Sequence, residues 1–136
     1  MNRQLLAQEL LRDEGLRLKP YRCTAGALTI GVGRNLDARG ITEAEARFML
    51  ANDMEDVWRG VVQALPWVTR LTDTRQRVIA NWAFQLGISG LLQFKNTLQM
   101  IQQGQYERAA VMMMDSLWAR QTPSRVARLA AMMRAG

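Results

Sequence analysis

The segment spanning residues 21–33 lacks the helical periodicity that governs the rest of the chain. Three glycines flank the short apolar run Ala27-Leu28-Thr29-Ile30, a pattern typical of a small β-hairpin or ribbon. Because the remainder follows a helical period, the sequence predicts an α+β fold that is predominantly helical. Its β structure is confined to a small N-terminal lobe.

Helical patterns lie on both sides of this ribbon. The leucines of the N-terminal stretch recur at helical spacing and stop at Gly15, a residue suited to the backbone just past a helix end. Glu14 therefore falls in the last turn of a first helix. Further along, Thr42 and Glu45 form a capping box for a helix that continues to Pro66. At about 1.5 Å per residue, that helix is long enough to connect two lobes.

The remaining sequence predicts an all-helical C-terminal lobe. Its helices are expected from Asp73 to Gly87, from about Asn96 to Gln103, from Glu107 to about Trp118, and from Thr122-Pro123 onward, where threonine is the N-cap.

Composition excludes several kinds of chemistry. The chain has no histidine and one cysteine, so Ser-His-Asp and Cys-His catalysis, histidine-based zinc sites and intramolecular disulfides are excluded. We predict no metal and no cofactor. The charged N-terminal helix is neither a signal peptide nor a membrane anchor, which predicts a protein made soluble in the cytoplasm, without stable membrane insertion.

The chain is strongly basic. Its net charge of +6 at pH 7 favours an acidic partner, such as nucleic acid, an anionic membrane face or a cell-wall polymer. The arginines are spread along the sequence rather than gathered in one tract, so we predict no nucleic-acid partner. A solvated basic surface is the plainer interpretation.

Glu14, Cys23 and Thr29 form the most informative constellation. They bring a carboxylic acid, a thiol and a hydroxyl to spacings of +9 and +6. Glycoside hydrolysis usually requires two carboxyl groups, and here a cysteine occupies the place of the second. Each residue also has a plainer interpretation, namely a surface carboxylate, a small buried apolar residue and a β-branched strand residue.

Several separated motifs in the right order extend this pattern over nearly the whole chain. They are Asp13-Glu14-Gly15-Leu16-Arg17-Leu18-Lys19, Thr29-Ile30-Gly31-Val32-Gly33, Phe84-Gln85-Leu86-Gly87, Gln102-Gln103, Ala109-Ala110-Val111, Trp118 and Gln121-Thr122-Pro123-Ser124-Arg125. Together they resemble the T-even phage type of lysozyme, a family of endolysins that cleave the linkage between muramic acid and glucosamine in peptidoglycan.

The resemblance implies a role for each member of the constellation. Glu14 would protonate the leaving glycosidic oxygen, Cys23 would orient or activate a water or stabilise the transition state, and Thr29 would help hold the water. Cys23 stands where the best-known member has aspartate, although some members carry cysteine. Two further departures are Arg34, which replaces a histidine, and the shortened segment 35–40.

The resemblance also implies residues outside the constellation. Phe84, Gln85, Thr97 and Asn35 would contact the sugars, and Arg125 would pair with the general acid. It further implies a single lysozyme-like domain over residues 1–136, with lobes of about 13–60 and 61–136 and helix 1–14 packed on the C-terminal lobe.

The resulting functional prediction is a monomeric muramidase that acts on peptidoglycan. By the resemblance, it would be made in the host cytoplasm and reach the wall through a holin-type pore. Two alternatives remain open: a lytic transglycosylase, in which a hydroxyl of the sugar replaces water, and a non-catalytic basic module that binds wall polymer or nucleic acid.

Overall fold

The computed structural model describes residues 1–136 and divides into two compact units, Met1–Met49 and Leu50–Gly136. The helical majority and the small N-terminal sheet confirm the predicted α+β class. The division into lobes at about residue 60 and the packing of the first helix on the C-terminal lobe stay predictions.

The first helix, α1 (Arg3–Glu14), ends where the sequence predicted. Its N-terminus is capped by Asn2, whose Oδ1 accepts a hydrogen bond from the Leu5 amide at 3.0 Å. Its C-terminus is Gly15, with a φ of 76° that favours glycine. Glu14 is therefore the last helical residue, and no residue of α1 is buried.

A three-stranded antiparallel sheet with the order β1-β2-β3 follows. The strands are β1 (Arg17–Arg22), β2 (Leu28–Gly31) and β3 (Arg34–Asn35). The sheet confirms the predicted ribbon but begins before the expected residue 21. The pairing of β1 with β2 shifts register between Arg17 and Tyr21, and this shift obscures the alternation of side chains that would reveal a strand in the sequence. Pro20 lies within this stretch; it cannot donate a hydrogen bond to the ladder and suits an edge strand.

A short helix, α2 (Leu36–Arg39), was not predicted. Asn35 begins it, because its Oδ1 accepts a hydrogen bond from the Ala38 amide at 2.9 Å. One helical turn gives too little periodicity to be recognised in a sequence.

The long helix α3 (Glu43–Ala64) begins with the predicted capping box. Thr42 Oγ1 accepts the Glu45 amide at 3.1 Å, and Glu45 Oε2 accepts the Thr42 amide at 3.2 Å. The helix ends just before Pro66, as expected from the missing amide hydrogen of proline.

Arg34 connects the sheet to the start of α3. Its guanidinium donates to both carboxylate oxygens of Glu45, with the Nη2–Oε1 bond at 2.8 Å, and to the Gly40 carbonyl at 3.3 Å. The bond from Arg34 is the main reason that the pKa of Glu45 lies below its usual range. A bidentate ion pair of this kind fixes the relative orientation of the two side chains as well as the distance between them.

The second unit contains the remaining helices. After the last turns of α3, a short 3-10 turn spans Pro66–Arg70, followed by α4 (Asp73–Leu92), α5 (Lys95–Gln102), α6 (Tyr106–Met114), α7 (Leu117–Gln121) and α8 (Pro123–Ala135).

Aromatic rings form the centre of this unit. Trp82 stacks on Trp118 with ring centroids 4.6 Å apart, and Phe94 packs edge-on against Trp82 at 4.8 Å. Fully burying one large apolar side chain contributes about 1.5–3 kcal/mol, so this cluster holds the surrounding helices firmly. The aliphatic and methionine side chains that are fully buried in the same core include Val61, Val68, Val78, Ile79, Leu91, Ile101, Met113, Val126 and Met133.

The start of α4 differs from expectation. Its N-cap is Thr72, whose Oγ1 accepts the Arg75 amide, and Asp73 is the first helical residue. Gly87 ends the first helical stretch as predicted, with φ 77° and ψ 166°, and a second stretch continues beyond this kink to Leu92.

The predicted helix from Glu107 to Trp118 is wrong. It breaks after Met114, because Ser116 Oγ donates to the Met113 carbonyl at 2.7 Å and accepts the Ala119 amide at 3.1 Å. The serine side chain competes with the helical backbone bonds and caps α7 instead.

No helix in the structure combines the length and the apolar character that crossing a membrane requires.

Candidate active site

Cys23 lies at the start of a tight turn between β1 and β2. The Gly26 amide donates to the Cys23 carbonyl at 2.8 Å, and the Cys23 amide donates to the Ala27 carbonyl at 3.0 Å. Gly26 has a φ of 83°, which a residue with a Cβ adopts only with strain. Aspartate, asparagine and serine favour the first position of such a turn, because their side chains can accept the amide two residues on.

The turn stabilises the ionised form of the half-buried thiol. The pKa of Cys23 is lowered chiefly by the backbone amide of Ala27, and next by that of Ala25. Partial desolvation raises it, and a hydrogen bond from the Thr29 hydroxyl lowers it further. The thiolate is the reactive form of cysteine, and the turn increases the fraction of Cys23 that is ionised at neutral pH relative to a free cysteine.

Strand β2 places Thr29 beside the turn that carries Cys23. Thr29 is only 4% exposed, and its Oγ1 donates to the Ala27 carbonyl at 2.9 Å. The Ala27 carbonyl therefore accepts from both the Cys23 backbone and the Thr29 side chain. The structure thus brings two members of the constellation together.

Glu14, the third member, is solvent-exposed at the end of α1. Its carboxylate lies over Gly33 in the turn that joins β2 to β3: a Cβ added to Gly33 would stand 2.8 Å from Glu14 Oε2. The acid is thus held beside the sheet that carries Thr29.

Asn35 occupies strand β3, paired with Thr29 on β2. Its Oδ1 is engaged as the cap of α2, which leaves its amide nitrogen for a ligand. Its predicted contact with the sugar stays a prediction.

In the second unit, an open groove of about 800 Å³ contains two of the predicted residues, Phe84 and Arg125. The Phe84 ring is 45% exposed. Arg125 donates through Nε to Asn81 Oδ1 at 2.9 Å and through Nη2 to the Asn81 carbonyl at 3.4 Å. Asn81 thus orients the guanidinium, whose pairing with Glu14 stays a prediction.

Gln85 is clamped by two residues of the helical unit. Its Oε1 accepts from Trp118 Nε1 at 2.8 Å, and its Nε2 donates to Thr122 Oγ1 at 3.2 Å. Thr122 precedes α8 as predicted, but its hydroxyl bonds to the Trp118 carbonyl rather than capping that helix. These bonds fix the Gln85 amide without using all of its hydrogen-bonding capacity.

Thr97 is 3% exposed on α5, beside the buried Leu98. It faces the helical core instead of an open surface. Its predicted role in substrate binding stays a prediction and has the least geometric support of the set.

Two residues of the site were not singled out from the sequence. Gly33 was recognised as part of a glycine-rich ribbon and of a family motif but was given no role, and Asn81 was not recognised at all. The Gly31-Val32-Gly33 pattern does indicate a turn, but no spacing rule tells which glycine faces Glu14. The Asn81–Arg125 contact joins residues 44 positions apart and has no local pattern.

The lowered pKa of Cys23 predicts its alkylation profile. The rate of modification by iodoacetamide should rise with pH around a midpoint below that of a free cysteine, because the backbone amides stabilise the thiolate. Thr29→Val should raise the midpoint partially, since the amides remain, whereas Thr29→Ser should not. Mass spectrometry of the modified protein across pH measures it. A wild-type midpoint at or above that of free cysteine would contradict the assignment.

Comparison with known proteins shows the family of the chain. The phage lysozyme family matches residues 12–133. The chain is 30% identical to the pre-baseplate central spike protein Gp5 of Enterobacteria phage T4 over 91% of its own length, but it spans only 26% of that protein. It is 27% and 26% identical to probable T4-type lysozymes 1 and 2 of Dictyostelium discoideum, covering 90% and 94% of them. These matches cover 91% and 96% of this chain. The chain therefore belongs to the phage lysozyme family, a family of glycoside hydrolases.

Proposed function

We propose that this chain is a muramidase that hydrolyses the β-1,4 bond between N-acetylmuramic acid and N-acetylglucosamine in peptidoglycan. The observation that carries the proposal is that one unit contains both an exposed carboxyl, at the end of α1, and a thiol whose pKa is lowered. The net charge of +6 suits a wall polymer that bears acidic groups.

In the proposed reaction Glu14 is the general acid. It donates its proton to the glycosidic oxygen as the bond from C1 of muramic acid to that oxygen breaks. A water molecule adds its oxygen to C1 and loses one proton, which leaves a reducing muramic acid end. The exposed position of Glu14 gives it access to a polymer in solvent.

Cys23 receives the proton of that water in the proposed mechanism. Its thiolate is favoured by the amides of Ala27 and Ala25, which hold a negative charge where most glycosidases have a carboxylate. Buried Thr29 then acts mainly through Cys23, because its hydroxyl lies beside the sulfur and on the Ala27 carbonyl.

The residues of the helical unit supply sugar contacts in this proposal. The exposed ring of Phe84 and the fixed amide of Gln85 offer an apolar face and hydrogen-bonding atoms of the kind that ligand sites combine. Arg125, held by Asn81, is proposed to pair with Glu14. The amide nitrogen of Asn35 is proposed as a further donor to the sugar.

We further propose that the enzyme serves host-cell lysis as an endolysin. It would accumulate in the host cytoplasm as a monomer and reach the wall through a holin-type pore. Membership of the phage lysozyme family supports this role.

Removal of the acid tests the central assignment. Glu14→Gln should clear a suspension of permeabilised Gram-negative cells at a rate lower by about 10²-fold or more, because the amide cannot donate the proton. Glu9→Gln is the matched control, since it removes the same charge from the same exposed helix and should clear like wild type. Full clearing by Glu14→Gln would refute the acid role.

The role of the thiol is tested at constant turn geometry. Cys23→Asp and Cys23→Asn both place an acceptor at the first position of the turn, but only aspartate carries a negative charge. We expect Cys23→Asp to retain activity and Cys23→Asn to lose at least about tenfold in the clearing rate. Equal rates for the two variants would show that the charge is not used.

The route of release predicts delayed lysis. Gram-negative cells that produce the chain without a holin should remain intact by optical density until chloroform permeabilises the inner membrane. The same cells producing Glu14→Gln should not lyse after chloroform. Lysis without permeabilisation would contradict the proposed dependence on a pore.

A further inference from the structure

We propose that Gly33 is a positioning residue for Glu14, whose carboxylate occupies the space that any other residue at position 33 would fill with a side chain. The inference rests on the proposed function, because it assigns a residue that holds the proposed general acid in place. It concerns contacts within the unit Met1–Met49 alone.

The steric evidence is specific to the acid. A Cβ on Gly33 would lie 2.8 Å from Glu14 Oε2, 3.1 Å from its Cδ and 3.4 Å from its Cγ. Favourable carbon contacts begin at about 3.5 Å, so Oε2 and Cδ are too close, whereas Cγ is at the edge of ordinary contact. The three nearest atoms to that Cβ all belong to the side chain of Glu14, so the carboxylate itself would be displaced.

The backbone on either side leaves little room for another adjustment. Ile30 pairs with Arg34 across the turn, and the Arg34 guanidinium is bound by Glu45 and by the Gly40 carbonyl. The backbone at Glu14 is also fixed, because the Gly15 amide donates to the Leu11 carbonyl at 3.0 Å and closes the last turn of α1. A methyl group between these two fixed backbones would therefore rotate the Glu14 side chain.

Displacement of the Glu14 carboxylate matters because Glu14 is the proposed proton donor. A misplacement of about 1 Å can lower a rate on the order of a hundredfold. The loss should appear in kcat, because proton donation contributes only in the transition state, while sugar binding elsewhere is unaffected.

Gly31, the last residue of β2 and next to the turn that contains Gly33, is a matched control. Its φ is 68°, close to the 66° of Gly33, but a Cβ at Gly31 would meet nothing within 4 Å. Gly31→Ala and Gly33→Ala therefore impose the same kind of backbone strain. Only the second places a methyl group against the acid.

The first experiment compares the two variants in steady-state kinetics on soluble peptidoglycan glycan fragments. We expect kcat of Gly33→Ala to fall at least about tenfold below that of Gly31→Ala, with KM unchanged and with similar losses in Tm. Equal values of kcat for the two variants would overturn the proposal.

A second experiment needs no activity. In crystal structures of the two variants, the Glu14 carboxylate should be displaced in Gly33→Ala and should keep its wild-type position in Gly31→Ala, because only the first variant places a methyl group against Oε2. An undisplaced carboxylate in Gly33→Ala would overturn the positioning role even if Glu14→Gln is inactive. An active Glu14→Gln together with a displaced carboxylate in Gly33→Ala would contradict only the proposed chemistry.

Discussion

A single backbone carbonyl organises the candidate chemistry of this protein. The Ala27 oxygen accepts the Cys23 amide at 3.0 Å and the Thr29 hydroxyl at 2.9 Å, so it fixes the thiol-bearing turn and the buried threonine together. The amide of the same residue is the main reason that the pKa of Cys23 is lowered. The backbone of one residue, Ala27, thus sets both the position of the thiol, through its carbonyl, and the ionisation of the thiol, through its amide. The turn closes because Gly26 tolerates a φ of 83°.

The helical unit depends on a different constraint, which is the close packing of its aromatic rings. Trp118 stacks on Trp82 and donates from its indole nitrogen to Gln85. A buried side chain therefore orients a half-buried polar one, whereas Arg125 is held by the exposed Asn81. Side chains restrained in this way lose little further freedom when a ligand binds. The sugar contacts that we propose thus rest on a core that is already formed.

Local rules predicted much of this fold. The end of α1 at Gly15 and the capping box of Thr42 and Glu45 involve neighbouring residues, and both were found as expected. The missed features need information that a local pattern does not contain. Ser116 was placed inside a helix because its periodicity continues, yet its hydroxyl bonds to the Met113 carbonyl and ends that helix.

The candidate site, like the fold, has features that local patterns predict and features that they do not. The spacing of Glu14, Cys23 and Thr29 and the family motifs were sufficient to nominate the reacting groups. The lowered pKa of Cys23 and the approach of Glu14 to Gly33 arise from turn geometry, which spacing does not encode. Thr97 was nominated by resemblance, yet its side chain is only 3% exposed, so the resemblance did not predict its burial.

The most direct test of the central claim is the fate of the oxygen of water. Purified peptidoglycan digested in water enriched in oxygen-18 should yield fragments with a reducing muramic acid end that carries one heavy oxygen, as read by mass spectrometry. This result is predicted because the proposed reaction adds water at C1. Fragments ending in anhydro-muramic acid without the label would contradict hydrolysis and would favour a transglycosylase instead.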